Sequence, residues 1–244
     1  VNYNKSNDHQ NILLCAQPKS ASLHMHAIIA DALQITKHEI GFNYYGGHLY
    51  YPRILAAKYL NCDTISHCHA EPTPATVDIV NTLNLKVLVL TRNLADTLIS
   101  RLEMLERDKY CSEMCSASAI QHFLTASDEQ KRDIIIDLFA APYLNFYTGW
   151  KSFAALNPSK VLFISYEEMK SDTQQLLKTV AAWCGKPFSC SSEFSKESDQ
   201  KPLNFNKGII GRGKMLFSNE QKVKILNLAA TFELNDEKYI GLSL

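Results

Sequence analysis

Residues 11–22 read Asn11-Ile12-Leu13-Leu14-Cys15-Ala16-Gln17-Pro18-Lys19-Ser20-Ala21-Ser22. The run at 11–15 reads as a strand, and past Gln17-Pro18 the chain passes into a helical pattern over residues 20–33. A continuous rather than alternating run is the signature of a strand buried on both faces, as in a parallel sheet. Such a strand feeding a helix N-terminus presents backbone N–H groups and the positive end of the helix dipole, a setting that suits an anion. Lys19, Ser20 and Ser22 add donors at the same junction. The plainer reading is a helix cap, Ser20 or Ser22, beside a solvated lysine.

Outward from this junction the pattern repeats. Residues 86–91 and 160–166 are further continuous apolar runs, and residues 64–69 are a weaker one. Helical patterns lie between them. Thr73-Pro74 opens one to Leu83, with Thr as cap and Pro in the first turn. Others cover residues 94–107, residues 128–156 with an interruption at Pro142, and residues 172–184 closed by Gly185. Strands alternating with helices imply crossover connections and a central parallel β-sheet flanked by helices. The segment 186–206, rich in Ser, Lys and Glu, reads as a surface connection into a Gly-rich stretch at 208–213. Nothing marks a linker, so the expectation is one α/β domain over residues 1–244.

Composition narrows the classes. The 244 residues are 46% hydrophobic and 20% charged, which excludes collagen, coiled coil and wholesale disorder. Lys plus Arg and Asp plus Glu balance at 25 each, so no global field draws the chain to nucleic acid or to a membrane surface. A highly charged ligand must be met by locally placed groups. Seven cysteines without paired spacing point to reduced thiols and a cytoplasmic protein. No apolar run approaches the roughly 18–20 residues of a bilayer span, and the opening residues Val1-Asn2-Tyr3-Asn4-Lys5 are unlike a signal peptide.

A second chemical junction closes the run at 86–91: Thr91-Arg92-Asn93-Leu94-Ala95-Asp96, then Ser100. Arg92 falls at the carboxyl end of a parallel strand, where open α/β sheets bind ligands, and a guanidinium grips phosphate with a forked donor set. The competing reading pairs Arg92 with Asp96 and leaves Ser100 on a helix surface.

In this order the two junctions resemble the sulfotransferase superfamily, which uses 3′-phosphoadenosine 5′-phosphosulfate (PAPS) as donor and releases 3′-phosphoadenosine 5′-phosphate (PAP). The family's Pro-Lys-Ser-Gly-Thr-Thr-Trp stands here as Pro18-Lys19-Ser20-Ala21-Ser22-Leu23-His24, and its Arg-Asn-Pro-x-Asp as Arg92-Asn93-Leu94-Ala95-Asp96, with Ser100 at matching spacing. Ser165-Tyr166-Glu167-Glu168-Met169 is similar to the family's Tyr-Glu-Asp-Met strand end. Asn206-Lys207-Gly208-Ile209-Ile210-Gly211 is similar to its Arg-Lys-Gly-x-x-Gly loop. The resemblance implies a P-loop-like fold and a cofactor site. Lys19, Ser20, Ala21, Ser22 and Leu23 would hold the 5′-phosphosulfate. Arg92, Ser100, Lys207 and Gly208 would hold the 3′-phosphate, and Tyr166 would border the adenine. Ala21 replaces Gly, Leu23 replaces Thr, His24 replaces the stacking Trp and Asn206 replaces Arg, so the donor is expected to bind more weakly or in a different pose.

Sulfuryl transfer to an alcohol needs a base near the acceptor hydroxyl. A histidine with an unperturbed pKa of about 6.5 is mostly neutral at pH 7 and suits the task. The family carries a His at the end of the strand before the Arg strand, often as Lys-Thr-His; the matching residues here are His67-Cys68-His69. On a strand His67 and His69 share a face, so periodicity does not separate them. Spacing to Arg92 favours His69 as the base, with Lys19 stabilising the leaving oxygen, and His67 in the place of the family's Lys.

Two look-alikes are set aside. Gly208 to Lys214 imitates a Walker loop, but Met215 stands where the Mg²⁺-binding hydroxyl belongs. Cys62, His67, Cys68 and His69 have no second ligand pair at zinc spacing, so no metal is expected. The aromatic stretch from Phe42 to Tyr51, and Tyr143, Phe146 and Tyr147, are candidate walls for a small, apolar or aromatic hydroxyl acceptor. The rivals are an ATP-dependent kinase of similar architecture and a nucleotide-binding module that has lost catalysis.

Overall fold

The structure, a computed structural model, describes residues 9–38, 42–44, 48–50, 62–108, 116–189 and 208–242. They gather into two compact units, residues 1–91 with 149–204 and residues 92–148 with 205–244, neither of them a continuous stretch of chain.

The first unit holds the sheet. Its strands are β1 (Asn11–Ala16), β2 (Thr36–Lys37), β5 (Thr64–Cys68), β6 (Lys86–Thr91) and β7 (Val161–Ser165), in the order β2-β5-β1-β6-β7 and all parallel. Two more, β3 (Phe42–Tyr44) and β4 (His48–Tyr50), pair antiparallel by themselves. The chain leaving β1 returns on the β5 side, and the chain leaving β6 returns on the β7 side. The β1/β6 pair is therefore the point of topological reversal, where α/β sheets bind ligands beyond their carboxyl ends. Register aligns those ends: Cys15 lies opposite Cys68, Ala16 opposite Leu90, and the Gln17 N–H donates to the Leu90 carbonyl at 2.8 Å.

The runs at 11–16 and 86–91 are buried on both faces, as their lack of alternation requires, whereas on the edge strand β7 Leu162 and Phe163 are only half-buried. Ile12, Leu14, Leu88 and Leu90 join Met25 and Ile29 of α1 (Ser22–Leu33) and Leu177 and Val180 of a later helix, Tyr166–Cys184, in one core. Leu13, Val87 and Val89, on the alternate positions, are fully buried as well. Each such side chain contributes about 1.5–3 kcal/mol of hydrophobic stabilisation. Helix α2 (Pro74–Thr82) starts as expected, with the Thr73 hydroxyl accepting from the Thr76 N–H.

The second unit is helical among its described residues. It holds α3 (Leu94–Asp108), α4 (Ala117–Thr125), most of α5 (Asp128–Leu156), then α7 (Arg212–Leu216), α8 (Asn219–Thr231) and α9 (Glu237–Ile240); α6 (Tyr166–Cys184) belongs to the first unit. Two boundaries depart from expectation. Helix α5 runs unbroken through Pro142, because buried side chains on either side, Leu144 and Ala140 among them, hold it although the proline forfeits one hydrogen bond. Helix α6 begins at Tyr166, so the strand ends one residue early; non-helical Asp172 divides it, accepting from the Gln175 N–H as the cap of the second half. Gly185 closes it in the left-handed region, as anticipated. No helix among the described residues is long and apolar enough to cross a membrane.

Candidate active site

At the end of β1 the chain makes an unusual turn. Lys19 (φ 71°) and Ala21 (φ 62°) both adopt the left-handed region, with Ser20 between them outside it. Alternation of this kind turns successive N–H groups toward one concavity, an arrangement that binds anions. Ala21 stands where the resemblance has Gly, and its positive φ explains why glycine would be easier there. The Ser20 hydroxyl and N–H both donate to the Gln17 carbonyl, at 2.6 and 3.3 Å, so this fully buried serine closes the turn rather than capping the helix. Ser22 is buried, Lys19 half-buried and Leu23 59% exposed.

Helix α1 has no side-chain cap. Every other described helix has its first turn closed by a side chain: Thr73 for α2, Asn93 for α3, Ser116 for α4, Ser127 for α5, Ser165 for α6, Asp96 for α7, Ser218 for α8 and Asp236 for α9. Among the described residues, one helix N-terminus is thus left to an acceptor other than the chain's own side chains, and it is the one that follows β1. The expectation that Ser20 or Ser22 caps it is not met.

The histidines lie on the neighbouring strand. His69 follows the last residue of β5, and its Nδ1 is 2.7 Å from the carbonyl oxygen of Ala16, the last residue of β1. A carbonyl only accepts, so Nδ1 carries the proton and the neutral ring keeps its lone pair on Nε2. This hydrogen bond ties the His69 ring to the strand that leads into the Lys19/Ala21 turn. His67 packs edge-on against His69, with ring centroids 5.0 Å apart, and 5.9 Å from His26 of α1. Its buried Nε2 has no hydrogen-bond partner among the described residues. Burial, and after it the charges that His69 and His26 would carry, push the His67 pKa down to about 3, so it stays neutral across the working pH range. His26 Nε2 donates to the Ile65 carbonyl at 3.1 Å. Cys15 and Cys68, buried side by side with their sulfurs 3.6 Å apart, are free thiols. Among the described residues no group of three or more His, Cys, Asp or Glu side chains is arranged for a metal ion. Tyr166 is buried in the apolar core beside Ile164 and Met169.

In the second unit Arg92, Asn93, Asp96 and Ser100 are all buried. Asn93 and Asp96 form a reciprocal box at the start of α3: Asn93 Oδ1 accepts from the Asp96 N–H at 2.8 Å, and Asn93 Nδ2 donates to Asp96 Oδ2 at 3.0 Å. The other donors to Asp96 come from the late loop, the N–H groups of Gly211 and Gly213, each at 2.8 Å. Arg92 lies 3.8 Å from Asp96 and donates to the Ile209 carbonyl at 3.1 Å. Arg92, Ser100 and the loop at 208–213 therefore belong to one compact unit, although more than 100 residues of chain separate Arg92 from Ile209. Lys207 and Asn206 lie outside the described residues; Gly208 is the first one described, with φ 64°. Sequence reasoning missed the pairing of Arg212 with Glu103, a two-pronged contact across 109 positions that no local pattern announces. It also missed the double role of Asp96. Tyr143, Phe146 and Tyr147 are buried: Tyr147 stacks on Tyr239 at 3.7 Å and donates to Asp236. Of the aromatic stretch at 42–51, the strands β3 and β4 form a pair, while residues 45–47 and 51 lie outside the described residues.

A parallel sheet with this strand order, a left-handed turn after its central strand and an arginine after the next one define an open α/β fold. Residues 9–208 match the sulfotransferase domain family, and the chain belongs to it. It is similar to cytosolic sulfotransferase 14 of Arabidopsis thaliana, 32% identical over 122 residues, which are 50% of this chain and 33% of that protein. It is also similar to a flavonol sulfotransferase-like protein of Flaveria bidentis, 25% identical over 191 residues, 66% of this chain and 56% of that one. The matched stretches thus span between a third and just over half of these relatives. A mouse sulfotransferase solved with PAP shares the fold at a TM-score of 0.65 and 19% identity, covering 95% of this chain and 89% of its own. Retinol dehydratase, solved with androsterone and PAP, shares it at 0.61 and 12%, covering 95% and 83%.

Proposed function

We propose that residues 1–244 act as a PAPS-dependent sulfotransferase on a small hydroxyl acceptor. The observation that carries the reading is the uncapped N-terminus of α1 behind the Lys19/Ala21 turn, a backbone cradle that fits the donor's 5′-phosphosulfate. The N–H groups that open α1 and the Lys19 ammonium would hold that group, with Ser20 shaping the turn and Ser22 and Leu23 contributing from the first helical turn. Arg92, Ser100, Gly208 and Lys207 would hold the 3′-phosphate. Tyr166 would border the adenine. The family match, residues 9–208, crosses both units, which supports one catalytic domain.

The donor supplies an activated sulfuryl group. His69 Nε2 would accept the proton of the acceptor hydroxyl as its oxygen forms the new S–O bond. The old S–O bond breaks in line, and its electron pair stays on the leaving phosphate oxygen. Lys19 and the α1 N–H groups stabilise charge developing on that oxygen. The neutral, buried His67 adds no competing charge beside the base. A small apolar or aromatic acceptor is supported by one structural neighbour, retinol dehydratase, solved with androsterone and with retinol. A cytoplasmic location is part of the same reading, supported by the free thiols Cys15, Cys62, Cys68 and Cys184.

The test is a melting-temperature series with PAP, adenosine 5′-monophosphate and Mg-ATP on the wild type and Arg92→Ala. Ligand at 100 times its dissociation constant adds about 2.7 kcal/mol to stability. A shift selective for PAP and lost in the variant is expected, followed by sulfate transfer across a panel of phenols and alcohols. A preference for Mg-ATP overturns the donor assignment. PAP binding without transfer to any acceptor makes the chain a silent nucleotide-binding module.

A further inference from the structure

In the second unit the loop at 208–213 is fixed to α3 by three separate devices. The Asp96 carboxylate, 1% exposed, divides its oxygens between the loop's backbone, Oδ2 accepting from Gly211 and Oδ1 from Gly213. The Arg212 guanidinium spans both oxygens of Glu103, with Nη1 at 2.8 Å from Oε2 and Nη2 on Oε1. Gly213 packs so closely on α3 that a Cβ there would lie 2.4 Å from the Ala95 Cβ and 2.5 Å from its carbonyl carbon. The loop segment thus anchored carries Gly208 and Ile209, and the Ile209 carbonyl receives the Arg92 guanidinium.

These residues do not point to a ligand of their own: Arg212 is 7% exposed and both its outer nitrogens are committed to Glu103. Their effect runs through the loop. Asp96 and Gly213 hold its carboxyl end, and a forked Arg–carboxylate pair fixes orientation as well as distance. A lysine would keep the charge and lose the fork.

Resting on the proposed donor site, we propose that Glu103 and Arg212 are positioning residues of the 3′-phosphate subsite. Their fork holds the 208–213 loop at one distance from Arg92 and so sets the preference for a 3′-phosphorylated nucleotide over its 5′-monophosphate. The role belongs to selectivity and not to catalysis, since neither side chain is free to touch the donor.

The experiment is calorimetric titration of PAP and of adenosine 5′-monophosphate into the wild type, Arg212→Lys, Glu103→Gln and the double variant Glu103→Leu/Arg212→Met, with the melting temperature of each unliganded protein alongside. Removing one member leaves a buried charge unpaired and is destabilising, whereas removing both together is often tolerated, so the double variant keeps the test open if a single one fails to fold. The expected result is a fall of about tenfold or more in the PAP-to-monophosphate affinity ratio in every folded variant, with monophosphate affinity unchanged within about twofold. The ratio is the readout a merely structural role would not move. A ratio held at the wild-type value in folded variants overturns the positioning role and leaves the donor site standing. A wild type without preference for PAP overturns the donor reading and this inference with it.

Discussion

Two strand-to-helix junctions of this chain solve the same local problem in opposite ways. After β1, the N-terminus of α1 has no side-chain cap, and two residues with positive φ turn the backbone into a concavity. After β6, the N-terminus of α3 is closed on itself by the Asn93–Asp96 box. A helix start carries orphan N–H groups that must find acceptors. Where the chain supplies them, backbone is no longer available to a ligand, and an anion there must be gripped by a side chain such as Arg92. Where the chain withholds them, the ligand itself becomes the cap. The first junction suits a group held by many weak dipoles that stabilise developing charge. The second suits a group held for recognition.

The largest effect that tests this contrast concerns His69, the proposed base. His69→Ala should lower turnover by about 10²–10⁴-fold while leaving PAP affinity unchanged; retained turnover, measured in a sulfate-transfer assay, removes His69 from the role. Next, Ala21→Asp makes the first junction resemble the second by placing a carboxylate at the start of α1. A like charge against the incoming phosphate costs several kcal/mol, so PAP affinity should fall by about 10²-fold in titration calorimetry. Undiminished binding would show that the anion does not sit at α1.

At the closed junction the same kind of change acts on stability instead. Asn93→Ala removes a cap and should cost about 0.5–2 kcal/mol, seen as a melting temperature lower by several degrees. Proton linkage gives an effect of similar size. His67 has a folded-state pKa depressed to about 3, against about 6.5 unfolded, so below pH 6.5 the unfolded chain binds the proton more readily. The stability this neutral histidine preserves is complete above pH 6.5 and falls as pH drops toward 3, by about 1 kcal/mol between pH 6 and 5. Denaturant melts at those two pH values should show the loss, and His67→Phe should remove it. The smallest effect is Ala21→Gly, which relieves the left-handed strain at that residue. It should raise stability by about 1 kcal/mol, a few degrees of melting temperature, with PAP binding intact. No gain would mean that the turn relaxes without the strain.

Most of the fold was legible in the sequence because its central strands are buried on both faces and its helices carry their own punctuation. Residues 86–91 were read with their observed bounds, and Thr73-Pro74 and Gly185 marked helix ends by local chemistry alone. The short strands at 36–37, 42–44 and 48–50 were not read, since two or three residues are too few to show a period. The helices at 117–125, 219–231 and 237–240 went unread too. Pro142 misled for the opposite reason, because a local breaking signal was overruled by burial on both sides of it. In the candidate site, Lys19, Arg92 and the His67/His69 pair were legible as residue types at the ends of strands, and Ser100 by its spacing from Arg92 along the following helix. What each one does there was less so.

By itself, then, the sequence determined the main strands and helices, the parallel sheet and the positions of the strand-to-helix turn at 17–22 and of the arginine, because each follows from periodicity or from residues within a few positions of one another. Tertiary structure alone decided which helix start is left open, which nitrogen of His69 keeps its lone pair, and which side chains hold the late loop. The reason is physical. A carbonyl on β1 orients His69 across 53 positions, and Asp96 and Glu103 meet the late loop across 109 to 117. Contacts made by strand pairing and helix packing leave no trace in local spacing.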